Sequence, residues 1–162
     1  MRSDGSVYFT DPDWQLGART SQTGFTGVYR ASTDLEVTLI TDALGNPNGI
    51  ALSPDERTLY VGSAGNDVLA FPVDADSSVG APSVFASPGA SDGMGIDCAG
   101  NLYVAAGTEV RVYSPAGAEL GVIAVAQTPS NVAFGGSDHQ TLYVTAQSGL
   151  YSIHLQVPGL PY

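Results

Sequence analysis

Pro47-Asn48-Gly49-Ile50-Ala51-Leu52-Ser53-Pro54-Asp55-Glu56-Arg57-Thr58-Leu59-Tyr60-Val61 carries two short apolar runs on either side of a Ser-Pro-Asp turn. Each run is too short for a helix, and Pro54-Asp55 lets the chain reverse between them, so the stretch reads as two strands and a turn. The same unit recurs. An apolar-Tyr-apolar run appears as Val7-Tyr8-Phe9, Leu59-Tyr60-Val61, Leu102-Tyr103-Val104 and Leu142-Tyr143-Val144, with the tyrosines 52, 43 and 40 residues apart. Turn residues precede each copy: Asp4-Gly5, Ser53-Pro54-Asp55, Ala99-Gly100-Asn101 and Gly135-Gly136-Ser137-Asp138.

Ahead of the turn in the last three copies lies another short apolar strand, at 49–52, 94–98 and 132–134. Further strands read at 27–31, 37–41, 68–73, 83–86, 102–105, 110–113, 120–125 and 150–155, before a tail at 158–162. No segment has a helical period. A repeat of roughly 40–50 residues with several strands per copy is the signature of a β-propeller. The expectation is an all-β chain, one domain over residues 1–162, with about three and a half propeller blades. Propellers close with about four to eight blades. Open blade edges are therefore expected, to be met by a longer polypeptide or by self-association of copies.

Composition agrees. Twenty Gly and ten Pro among 162 residues suit short strands joined by turns. The net charge of −11 repels phosphate backbones and argues against nucleic-acid binding. It is either a solvated acidic face or a surface that attracts cations. No apolar run nears the roughly 18 residues of a membrane-spanning helix. Met1-Arg2-Ser3-Asp4-Gly5-Ser6 has no apolar stretch of a signal peptide, which makes cytoplasmic residence the expectation. A single cysteine, Cys98, excludes an intrachain disulfide framework; following Met94 and Ile96 in alternation, it reads as a small buried hydrophobe.

Asn48, Asp92 and Asn131 stand 12, 11 and 12 residues ahead of Tyr60, Tyr103 and Tyr143. If the first strand of each blade is innermost, these equivalent positions converge near the mouth of the central channel. Oxygen donors brought together on a rigid scaffold are what a hard cation needs. The alternative is that Asn and Asp satisfy loop backbone groups. Gly49 and Gly93 follow two of the three, leaving room for a ligand or for close packing.

Four segments carry a resemblance to a known family. They are Asp4-Gly-Ser-Val-Tyr-Phe-Thr-Asp-Pro12, Pro47-Asn-Gly-Ile-Ala-Leu-Ser-Pro-Asp55, Asp92-Gly-Met-Gly-Ile-Asp97 with Gly100-Asn-Leu-Tyr-Val104, and Ser130-Asn-Val-Ala-Phe-Gly-Gly136 with Leu142-Tyr-Val-Thr145. In this order they resemble the gluconolactonase and senescence-marker-protein family, which includes luciferin-regenerating enzyme. The resemblance implies a six-bladed propeller whose one divalent metal, calcium or zinc with magnesium or manganese as further options, is held by a Glu, two Asn and an Asp. It makes Asn48 one metal ligand, and Asp92 both a ligand and the catalytic base or nucleophile. The second Asn of the family falls about four residues ahead of Met1 by the repeat register. The Glu falls further upstream, so half of the shell is expected outside this chain.

By the same resemblance Asn131 is a wall of the substrate pocket. Asp11 is either a pocket or second-calcium residue or a turn residue with Pro12, and Trp14 is either a rim for substrate or a packed surface aromatic. The implied reaction is opening of a sugar lactone or similar cyclic ester, a small-molecule substrate. A phosphotriester, as in diisopropyl fluorophosphatase, and a non-catalytic propeller are the alternatives. With two ligands, the chain alone is expected to be inactive. Asp74-Ala-Asp-Ser-Ser-Val-Gly80 has its glycine in the wrong place for a calcium loop. His139 and His154 have no nucleophile in an elbow context, so no catalytic triad is read.

Overall fold

The computed structural model describes residues 1–63 and 65–160, and every regular element in them is a strand. The fourteen strands are β1 Val7–Asp11, β2 Gly27–Ala31, β3 Val37–Thr41, β4 Ile50–Leu52, β5 Thr58–Gly62, β6 Val68–Pro72 and β7 Ser83–Ala86. There follow β8 Ser91–Ile96, β9 Leu102–Ala106, β10 Glu109–Tyr113, β11 Glu119–Ala124, β12 Pro129–Gly135, β13 Thr141–Ala146 and β14 Gly149–His154. They form four antiparallel meanders: β1-β2-β3, β4-β5-β6-β7, β8-β9-β10-β11 and β12-β13-β14, called blades 1 to 4 here. Two complete and two three-stranded blades amount to the three and a half read from the repeat. Residues 161 and 162 of the tail lie outside the described residues.

Burial shows how the blades stack. β9 is buried along its whole length and β5 nearly so, because the second strand of a blade has a neighbouring blade on both faces. The outer strand β11 is almost wholly exposed and β7 half so. β4 packs beside β8, and β8 beside β12, so the first strands of successive blades are the inner ones. One core lies between blades 1 and 2, with Tyr8, Val28, Leu59, Val61 and Phe71. A second lies between blades 2 and 3, with Tyr60, Met94, Ile96, Leu102 and Val104, and a third between blades 3 and 4, with Tyr103, Val110, Val132, Leu142 and Val144.

Each repeat tyrosine therefore faces the next blade. Tyr8, Tyr60 and Tyr103 are buried, whereas Tyr143, with no following blade among the described residues, is 39% exposed. At the other end Val7, Val37 and Leu39 of blade 1 are exposed for the same reason, and Phe9 stacks on Tyr29 at 5.3 Å.

One expectation fails here. Cys98 is exposed, not a buried hydrophobe. The strand ends at Ile96, and Asp97 takes the buried position with no exposure at all. Its carboxylate accepts hydrogen bonds from the main-chain N–H of Ala99 at 3.0 Å and of Asn101 at 2.8 Å. It also accepts from the Asn101 side-chain amide at 2.8 Å and the Tyr103 hydroxyl at 3.2 Å. Asp97 thus ties the turn, and Cys98 is pushed out at its tip.

Candidate active site

The segment leading into β4 is held on two sides. The Asn48 N–H donates to the Gly62 carbonyl at 2.9 Å, and the Thr10 hydroxyl donates to the Asn48 carbonyl at 2.7 Å. This leaves the Asn48 side chain facing blade 3. Its Nδ2 donates to Asp92 Oδ1 at 2.9 Å and, more weakly, to the Ser91 carbonyl at 3.4 Å. The nitrogen must be the atom turned to Asp92, since the amide oxygen would meet a second acceptor. Asn48 Oδ1 and Asp92 Oδ2 are then the two oxygens left outside this bond.

A β-bulge aims Asp92. Ser91 pairs with Ala106 and Met94 with Val104, so Asp92 and Gly93 together oppose Ala105. Such a bulge bends the strand and redirects a side chain. The inner strands approach so closely that two glycines are required. A Cβ on Gly49 would overlap the Asp92 carbonyl, and one on Gly93 would overlap the Asn131 amide.

Asn48 and Asp92, with Thr128, line a cavity of about 360 Å³ whose other walls include Trp14, Ala90, Ala105 and Pro129. Ser91 also lines it; its hydroxyl is buried and has no hydrogen-bond partner among the described residues. No Arg or Lys lines this cavity, so the carboxylate is compensated by dipoles alone and the site favours a cation.

Of the residues singled out from sequence, Asn48, Asp92 and Trp14 share this cavity, with Trp14 47% exposed on the loop after β1. Asp11 does not share it. Exposed at the end of β1, it lines a separate cavity of about 610 Å³ under the 12–26 loop, with Asp13, Leu16 and Arg19. Asn131 is exposed and absent from the lining; its Oδ1 accepts from the adjacent Val132 N–H at 2.8 Å while the side chain packs over Gly93. The cause is the longer turn after β12: with Ile50, Met94 and Val132 opposite Val61, Val104 and Val144, Asn48 and Asp92 stand two residues back and Asn131 only one, in the place of Gly49 and Gly93. Asp92 and Asn131 also lie inside their strands, not before them. Sequence reasoning passed over Ser91 and Thr10. Thr10 stands two residues after a repeat tyrosine, a position the repeat could have drawn attention to.

The donor set is all oxygen, which suits a hard divalent cation better than a soft one. Among the described residues no group of three or more His, Cys, Asp or Glu could hold a metal. The Asn48 amide oxygen and the Asp92 carboxylate therefore fit part of a shell.

Comparison with known proteins follows the same lines. The profile of the SMP-30/gluconolactonase/LRE-like region matches residues 1–148. A gluconolactonase of Zymomonas mobilis is 32% identical over 174 residues, covering 96% of this chain and 49% of that protein. A pentonolactonase of Haloferax volcanii is 34% identical over 142 residues, with 82% and 49% covered. Among solved structures, a gluconolactonase from Xanthomonas campestris superposes with a TM-score of 0.87 at 32% identity, over 98% of this chain and 55% of that one. The chain spans about half the length of the curated relatives it matches.

Proposed function

The chain belongs to the SMP-30/gluconolactonase/LRE-like family, and from that premise we propose that its Asn48–Asp92 cavity is part of a metal-dependent site that opens a sugar lactone. The observation that carries the reading is the 2.9 Å bond between Asn48 Nδ2 and Asp92 Oδ1 inside a cavity of about 360 Å³. That volume is of the order that holds a small cyclic substrate. The relatives named as gluconolactonase and pentonolactonase support the substrate class.

Asn48 Oδ1 and Asp92 Oδ2 are the atoms that would hold a divalent cation, calcium or zinc. When bound there, such a cation would polarise the lactone carbonyl and offset the negative charge on its oxygen. Asp92 takes a proton from the attacking water as the water oxygen bonds to the carbonyl carbon. When the ring C–O bond breaks, the same carboxyl returns that proton to the departing alkoxide, so one water is consumed and one hydroxy acid released. The Asn48 amide keeps the carboxylate oriented, and Trp14 offers a flat apolar face to the C–H side of a sugar ring.

Two side-chain ligands are fewer than the four of a zinc site or the six to eight oxygens of a calcium site. The proposal therefore includes further blades against the exposed faces at Val7 and Leu39 and at Tyr143 and Leu150, bringing further donors.

Hydrolysis of glucono-1,5-lactone followed by proton release, with zinc or calcium added, tests the reading, alongside a phosphotriester as comparator. In the propeller completed by its further blades, Asp92→Asn is expected to reduce turnover to background; near-normal turnover by it would exclude the role of Asp92. Faster turnover of the phosphotriester would move the substrate class. Trp14 is the sole tryptophan and lines the cavity, so metal titration reads out in its emission. Unchanged emission and no calorimetric heat at millimolar metal would remove the metal role for this chain.

A further inference from the structure

We propose that Thr10 is a positioning residue that acts through Asn48: its hydroxyl, reaching across from blade 1, sets the main chain so that the Asn48 amide meets Asp92. The catalytic consequence rests on the function proposed above; the geometric claim does not.

Thr10 lies two residues beyond Tyr8, on the face that Tyr8 turns toward blade 2, and its Oγ1 donates to the Asn48 carbonyl at 2.7 Å. The equivalent positions in the other blades are Gly62, Ala105 and Thr145. Gly62 has no side chain to reach with, and a Cβ there would run into the Ser91 hydroxyl. Ala105 is apolar and lines the cavity. Thr145 has no following blade among the described residues, and its hydroxyl pairs with Ser130 of its own blade at 3.0 Å. At this register position, only the junction that delivers Asn48 carries a hydrogen-bonding clamp to the next blade among the described residues.

Blade 1 grips the same segment at two further points. The Thr26 hydroxyl donates to the Leu44 carbonyl at 3.0 Å, and the Asp13 N–H donates to Asn46 Oδ1 at 3.0 Å. Residues 44–47 precede the ladder, which begins with the Asn48 N–H on the Gly62 carbonyl at 2.9 Å, so these three bonds from blade 1 join that one in fixing where Asn48 sits.

The test uses the full chain with Thr10→Val, which keeps the branched shape and removes the hydroxyl, and Thr10→Ser, which keeps the hydroxyl. Solvent exchange of the Asn48 side-chain NH₂, read by ¹H–¹⁵N NMR, is expected to accelerate about fivefold to tenfold in Thr10→Val, the worth of one lost hydrogen bond. Thr10→Ser is expected to stay within about twofold of wild type, and the Asn131 side-chain amide is expected not to change in either variant. Zinc affinity, titrated through Trp14 emission, is expected to weaken in the same order. An Asn48 amide that exchanges alike in wild type and Thr10→Val overturns the proposal. So does a serine variant as impaired as the valine one, or acceleration spread evenly over blades 2 and 3. If wild type binds no zinc, the metal-site reading falls, while the amide measurement still decides the clamp.

Discussion

Gly49→Ala is the most direct probe of how the two inner strands hold the site. The added Cβ would overlap the Asp92 carbonyl, a main-chain atom that no rotamer change can move away. Ordinary carbon–oxygen contact requires β4 and β8 to part by about 1 Å, and well-packed interiors resist such insertions at a cost of about 1–3 kcal/mol. For a chain of this size that lowers the melting temperature by roughly 2–12 °C. The same displacement stretches the Asn48–Asp92 bond from 2.9 Å to about 3.9 Å, beyond any hydrogen bond. A misplacement of about 1 Å in a catalytic constellation costs about 100-fold in rate. Thermal unfolding followed by circular dichroism measures the first effect, and zinc affinity, or lactone turnover by the completed propeller, the second. The control is Gly45→Ala, where the added Cβ meets nothing within 4 Å. An alanine at 49 that leaves melting temperature, metal affinity and turnover at wild-type values would refute the close approach of β4 and β8, and with it the geometry of the site.

Two further outcomes follow from the packing. Burial raises the phenol pKa values of Tyr103, Tyr60, Tyr113 and Tyr8 above the usual 10.0, and at Tyr103 the Asp97 carboxylate adds to the effect. A raised folded-state pKa means the unfolded chain ionises first. The stability from these groups is complete below pH 10 and is lost as pH rises beyond it. Urea midpoints should hold steady from about pH 8 to 9.5 and fall above about pH 10; a flat profile to about pH 11.5 would contradict the burial of these rings. Cys98, exposed at the tip of its turn, should react fully with a thiol reagent in the native protein without denaturant. Labelling that waits for urea would place the thiol inside.

The tyrosine repeat made the architecture legible because its causes are local. Alternation places Tyr8, Tyr60 and Tyr103 on one face of each second strand, and the turn residues ahead of them reverse the chain. Strands 27–31, 37–41 and 83–86 could be read to the residue on that basis. The sequence by itself determined the four blades, their order, and the pairing of Asn48 with Asp92 as candidates. It could not determine which register-matched side chains meet. Equal spacing ahead of a tyrosine does not reveal the bulge at Ser91–Met94, which aims Asp92 at Asn48, nor the longer turn after β12, which moves Asn131 one place along its strand and onto its own backbone. Nor does alternation show that Asp97, not Cys98, takes the buried place, or that Asp11 faces a different cavity from Trp14. Those outcomes belong to the tertiary structure. The aim of a side chain at a blade junction depends on how near the next blade comes, and that distance is set by contacts from residues far away in the chain.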